Sequence, residues 1–331
     1  MSRPRWGFRR FHAPPGPGAY LLLALVGTVV IGPWLAGDPA QVTDATGASL
    51  VHPLGSRWLF RLEDGSTLAG ATADAADTGW WVDRGPQRVW IPLESVADVQ
   101  HRRFWLGTDT LGRDVLARML AGGRMSLAVG ALAVGVALLL GVAVGLAAGW
   151  WGGVVDSVLM RLVDSLLAIP MLFALLLLGA LLRPSLLVLV LVLGGASWMG
   201  VARLVRGQVL TLKEREFVVA AQAMGASPLH IARVHLIPNA ATPILQDAAL
   251  RLGDLILVEA SLSFLGFGVQ PPTPSWGALV AEGQAVVAQA WWLSVLPGLA
   301  IAITVMAAAL LADDLAGSAR SPGRSPSAGI A

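Results

Sequence analysis

Residues 217–239 read FVVAAQAMGASPLHIARVHLIPN. The first eight are alanine-rich and favour helix. Gly225 then ends the helix, because glycine enters the left-handed cap conformation freely. Ser227 offers a side-chain oxygen to cap a second helix, and Pro228 falls at its first position, where a missing N–H costs nothing. That second helix is expected over about 229–236, stopping before Pro238. Ala220, Ala221 and Ala223 leave a smooth flank that another backbone can approach closely. The stretch is too small-residue-rich and too broken to span a bilayer, and it holds no residue set that does chemistry. It reads as a compact helix–turn–helix, and a connection this long with its own capped helices points to function.

The surroundings are apolar. The chain has 331 residues, 55% of them hydrophobic and 13% charged, with a mean hydropathy of +0.68. A soluble domain carries about 25% charged residues. Six segments are long and apolar enough to cross a bilayer, which takes ~20 residues of helix: roughly 19–36, 126–150, 158–182, 185–205, 244–265 and 292–312. The fold class is therefore an all-α polytopic membrane protein. The first segment follows Arg3, Arg5, Arg9 and Arg10 and precedes small residues, a pattern shared with cleaved signal peptides. Its long, proline-rich leader favours a retained helix.

Short-loop arginines set the orientation. The N-terminal tail (1–18), the loop holding Arg203, Arg206, Lys213, Arg215 and Arg233, and the C-terminal tail (313–331) with Arg320 and Arg324 fall on one side of a six-span layout. The opposite connections hold Arg183 and nothing basic over 266–289. The positive-inside rule puts both termini and the loop 206–240 in the cytoplasm, with the chain in the cell (inner) membrane. The arginine-rich segment 37–105 then lies outside. Within it, RWLFRLEDGSTLAG (57–70) and WWVDRGPQRVWIP (80–92) carry hairpin signals, so a small β-rich unit is expected over about 45–95. GTDTLGRDVLARML (107–120) follows. Thr108, Asp109 or Thr110 can cap an amphipathic helix there, with Leu111, Val115 and Met119 on one face. SFLGFGVQPPTPSWG (263–277) is expected to be a proline-stiffened outer loop without a strand or helix of its own.

The sequence excludes much chemistry. There is no cysteine, hence no thiolate metal site and no disulfide. Lys213 is the only lysine and Glu214 follows it, so no phosphate-binding P-loop exists. His230 and His235 are spaced badly for a shared metal. The net charge of +2 gives no reason to expect nucleic acid. Asp247, Arg251 and Asp254 recur on one face of the fifth segment. Ionisable groups at membrane depth face a bundle interior or a cavity, so they form either a polar stripe between helices or a lining of a translocation path. Arg161 and Asp164 are expected to pair at i, i+3. Coupling to an ion gradient would also use such groups.

The loop resembles the cytoplasmic coupling loop of ABC-importer permeases, whose pattern is Glu-Ala-Ala, three residues, Gly, then nine residues and a short run ending in Leu-Pro. Ala220, Ala221, Gly225 and Pro238 match, while Val219 stands at the Glu position and Ile237 at the Leu position. Glu216, one helical turn earlier, is the nearest acidic substitute. LGTDTLGRDVLAR (106–118), AGWWGGVVDSVLMRLVDSLLAIP (148–170), HLIPN (235–239) and EASLSFLGFGVQPPTPSWG (259–277) resemble the second permease subunit of the dipeptide/oligopeptide/nickel importers. The likeness covers most of a permease core at 106–312 and leaves 37–105 unexplained.

The resemblance implies an ATP-driven importer subunit, with peptides as the expected cargo and nickel chelates or another small solute as the alternative. It implies a companion permease, two cytoplasmic ATP-binding subunits carrying the ATP and magnesium, and an extracytoplasmic substrate-binding protein. No cofactor or catalytic residue is expected on this chain. The ATPase-coupling residues it implies are Val219, Ala220, Ala221, Gly225, Ala226, Ser227, Pro228, Leu229, Arg233, His235, Pro238 and Asn239.

Overall fold

The computed structural model describes residues 16–85, 87–182 and 185–320. Of the expected tails (1–18 and 313–331), residues 1–15 with Arg3, Arg5, Arg9 and Arg10 and residues 321–331 with Arg324 lie outside the described residues, as does Arg183, while Arg320 ends the last helix. The fold is mostly helical, with one β-rich insertion.

Helix α1 (Pro17–Ala36) is followed by the insertion. Strands β1 (Ser56–Leu62), β2 (Thr67–Gly70) and β6 (Val96–Arg103) form an antiparallel sheet in the order β2-β1-β6. Strands β3 (Ala73–Ala76), β4 (Gly79–Arg84) and β5 (Gln87–Pro92) form a second, in the order β3-β4-β5. Both expected hairpins form, turning at Asp64-Gly65 and after Arg84. The unit runs to Arg103, beyond the expected end near 95, because β6 pairs along the whole of β1. Phe60, Val82 and Ile91 are buried together with residues of both sheets around them. Asp44 holds the unit closed: its carboxylate accepts from the backbone N–H of Thr46 and Ala69 and pairs with Arg84 at 2.7 Å. Burial acts to raise the pKa of Asp44, but the N–H groups of Ala69, Thr46 and Gly47 and the Arg84 guanidinium outweigh it, leaving the carboxyl below its usual range.

The stretch 107–114 is a turn rather than the start of a helix. Gly107 and Gly112 take φ of +80° and +71°, and Thr108 bridges to Asp114. Two left-handed residues in six break any helix there, so the cap moves to Asp114, which accepts from the Leu116 N–H at 2.9 Å. No separate amphipathic helix precedes the second span. Helix α2 runs unbroken over Val115–Trp151, 37 residues.

Three helices are long and apolar enough to cross a membrane among the described residues: α1, α2 and α11 (Trp292–Arg320). Two bent pairs also qualify. Helices α3 (Gly153–Leu167) and α4 (Met171–Leu181) meet at 80°, and α5 (Leu186–Gly195) and α6 (Trp198–Lys213) at 43°. The expected straight third span is thus broken at Pro170, which caps α4 and disfavours helix in the residue before it. The fifth expected span lies within α9 (Ile237–Phe264), too rich in charge to pass on hydropathy alone. A short helix α10 (Trp276–Gln284) folds back between α9 and α11. It was not legible in the loop reading of 266–289, although 265–275 is indeed non-helical.

Helix α2 lies along α6. Gly141, Gly145 and Gly149 face Val201, Val205 and Val209, and a methyl group on Gly145 would lie 2.6 Å from the Ala202 carbonyl. This is small-residue packing of the kind that brings membrane helices into backbone contact.

Candidate coupling surface and membrane-depth polar sites

After α6 the chain forms helix α7 (Glu216–Ala223), a glycine turn and helix α8 (Pro228–Ile231). Gly225 has φ of +82°, its N–H meets the Gln222 carbonyl at 2.9 Å, and the Ala226 N–H reaches back to the Ala221 carbonyl at 3.1 Å. This six-to-one bond is the left-handed helix stop that the glycine allows. The Ser227 hydroxyl accepts from the His230 N–H, capping α8 with Pro228 at its first position.

The second helix does not stop before Pro238. Five residues of π-helix, Ala232–Leu236, carry it directly into α9, with the Ile237 N–H bonded to the Ala232 carbonyl. The wider turn resets the register so that Pro238 lands in the first turn of α9, where no intrahelical N–H is needed. The knob is therefore continuous with a membrane helix rather than hung from a loop.

Its underside is fixed. Val218, Ala221, Ile231, Leu236 and Ala240 are buried in one cluster with Val201, Val205 and Val209 of α6. Its outer face is bare and apolar: Met224 is 82% exposed, Leu229 59%, Val219 51% and Val234 50%. Ala220, Gly225, Ser227, Pro228, Arg233, Pro238 and Asn239 are also exposed, Ala226 and His235 are half-buried, and Ala221 belongs to the underside. His235 packs against Phe217 at 5.9 Å, and its carbonyl accepts from the Asn239 amide. A rigid knob with an apolar cap is a shape that fits a groove on another protein.

At membrane depth the expected trio divides. Arg251 pairs with Asp247 and donates to the Ser197 carbonyl at 2.8 Å, at the bend between α5 and α6. Asp254 is exposed and makes no ion pair among the described residues. Arg161 does not pair with Asp164; Asp164 meets Arg203, and Asp156 meets Arg206, so α3 is tied to α6 by two ion pairs. The i, i+3 spacing lost to tertiary contacts that the helix wheel does not register.

Two clusters escaped the sequence reading. Glu259 is fully buried, with Ser126 of α2 at 3.0 Å and Ser263 at 2.7 Å, and Ser263 in turn meets Ser275. Ser126 also accepts from the Trp276 N–H at 3.2 Å, so one carboxyl group joins α2, α9 and α10. Ser275 itself is buried as the cap of α10. At the N-terminal end of α2, Arg118 is 3% exposed and spans Asp109 at 2.6 Å and Glu282 at 2.5 Å. Asp109 also accepts from the N–H groups of Leu111 and Arg113. Lone polar residues in apolar runs at 118, 126 and 259 were the available signal.

Residues 141–317 match the family described as "Binding-protein-dependent transport system inner membrane component". The chain belongs to this family. It is a multi-pass permease subunit of an ABC importer, a transport component without a catalytic domain. The matched segment begins inside α2 and ends inside α11, so it contains the knob and α9 and leaves the β-rich unit outside. Among its relatives is the di/tripeptide transport system permease protein DppC of Pseudomonas aeruginosa, 40% identical over 213 residues, covering 64% of this chain and 70% of that one. Another is the oligopeptide transport system permease protein OppC of Haemophilus influenzae, 37% identical over 223 residues, 67% of this chain and 72% of that one. A solved structure of the MetNI methionine ABC transporter in an inward-facing conformation aligns with a TM-score of 0.48 and 19% identity, over 61% of this chain and 97% of that one.

Proposed function

We propose that this subunit carries di- or oligopeptides across the inner membrane. It would form the path with a companion permease, bind the cytoplasmic ATPases through the α7–α8 knob, and receive cargo from an extracytoplasmic binding protein. The reading of cargo rests on the DppC and OppC relatives. The reading of coupling rests on one observation: an exposed apolar cap whose buried underside is shared by α6 and α9. A push on Met224 or Leu229 has no soft element to absorb it, because the π turn makes the knob one body with α9 and valines key it to α6. ATPase closure then biases the bundle between two packings.

In this reading the bent pairs α3/α4 and α5/α6 each count as one span and α9 as another, giving six with α1, α2 and α11. Both termini and the knob face the cytoplasm, and the β-rich unit faces outward. The Asp247–Arg251 pair belongs to the helix interface, where it holds the α5/α6 bend.

The absence of cysteine gives a clean test. A Met224→Cys subunit, assembled with its companion, ATPases and binding protein in proteoliposomes, should form a disulfide with a cysteine placed in the ATPase groove. ATP should change the yield, and peptide uptake should need ATP and the binding protein. Uptake driven by a proton or sodium gradient without ATPases would refute the reading.

A further inference from the structure

Asp254 is a carboxylate on the exposed face of a membrane helix. It lies 17 residues into α9 and ten from its outer end, roughly 25 Å along a helix of roughly 42 Å, which puts it at hydrocarbon depth. A carboxylate there does not face lipid. Arg251, one turn away, does not serve it, because its guanidinium is turned to Asp247 and the Ser197 carbonyl. Nor does Asp254 turn inward: the opposite face of α9 is packed, with Gly253 against Val305 and Ala308 of α11 and Ile256 against Gly130 of α2. Asp247, Arg251, Asp254 and the exposed Ser261 occupy about a quarter of the helical wheel. Of these, Asp254 and Ser261 lie on the unpacked side of the helix that carries the knob, while the half-buried Arg251 is turned into the α5/α6 bend.

We propose that Asp254 lies on the aqueous path and is the contact for a lysine or arginine side chain on the passing cargo, as distinct from the α-ammonium that every peptide carries, so that it favours peptides bearing such a side chain. The proposal rests on the peptide reading above. The ion pair Asp247–Arg251 beneath it holds the helix and leaves Asp254 as the uncompensated charge. A single fixed carboxylate on a water path walled by low-dielectric protein attracts cations and repels anions more strongly than it would in bulk water.

The experiment uses the whole transporter in proteoliposomes, with the binding protein preloaded with Lys-Ala, Ala-Ala or Glu-Ala. In Asp254→Asn, ATP-driven uptake of Lys-Ala should fall about tenfold relative to Ala-Ala, the scale of one lost charge-assisted contact. Asp254→Glu should restore the preference, and Asp254→Lys should turn it toward Glu-Ala. An equal fall for all three peptides in an intact complex would overturn the proposal, as would no change. Loss of the companion permease on purifying Asp254→Asn would also overturn it, placing the carboxylate at a subunit interface. A wild-type transporter that hydrolyses ATP yet moves none of the three would refute the peptide reading itself, and with it this site as a peptide contact.

Discussion

Valine at position 225 isolates the backbone contribution to coupling. Gly225 sits at φ of +82°, and a Cβ added there meets no atom within 4 Å. The perturbation is therefore conformational, with no clash. Holding a β-branched residue in the left-handed region costs about 1–2 kcal/mol. If the loop relaxes instead, it loses the bonds from the Gly225 and Ala226 N–H groups, at about 1 kcal/mol each. Both routes give a similar penalty, too small to detach a knob seated on Val218, Ala221, Ile231 and Leu236 but enough to swing α7 relative to α8. The Gly225→Val complex should insert and assemble, melt only a few degrees lower, and lose most of its binding-protein-dependent ATPase stimulation and uptake. Gly225→Asn, which tolerates the left-handed cap, should keep most of both. Normal uptake per ATP in Gly225→Val, measured in proteoliposomes, would refute the claim that the angle between the two short helices transmits the stroke.

Other outcomes follow from the buried charges. Arg118→Ala removes the more deeply buried of the two arginines on Asp109, with Arg113 remaining at 2.6 Å, and should lower the Tm of the purified complex, whereas Arg118→Ala combined with Arg113→Ala orphans the buried carboxylate and should destabilise the subunit by about 3–5 kcal/mol. Arg251→Ala should destabilise through the orphaned Asp247 and the freed Ser197 carbonyl, and Asp247→Asn with Arg251→Gln should recover part of that loss in the same melting assay. Because the Asp44 carboxyl is held below its unfolded value, its contribution is full above the unfolded pKa of about 3.9 and fades as pH falls through the lower folded value. Acid titration of tryptophan fluorescence should show this loss in wild type, and Asp44→Asn should start less stable at neutral pH with a flatter acid limb.

Local rules carried the sequence reading where local physics decides. The glycine stop at 225 and the Ser227–Pro228 cap depend on backbone conformation and one side-chain oxygen, so they are written in four residues. The two hairpins depend on turn chemistry and alternation and were legible for the same reason. The apolar runs marked membrane helices because the bilayer is a uniform solvent that any ~20-residue segment reports on. Failures came where a partner distant in sequence competes. The bend at Pro170 and the continuation of α8 through Pro238 show proline acting in opposite ways, breaking one helix and fitting the other once a π turn resets the register. The pairing of Asp164 with Arg203, of Glu259 with Ser126 and of Arg118 with Glu282 joins residues 39, 133 and 164 positions apart. Sequence sets which residues are polar within an apolar chain; tertiary packing alone decides which of them meet, because at low dielectric the nearest opposite charge or hydroxyl wins irrespective of spacing along the chain.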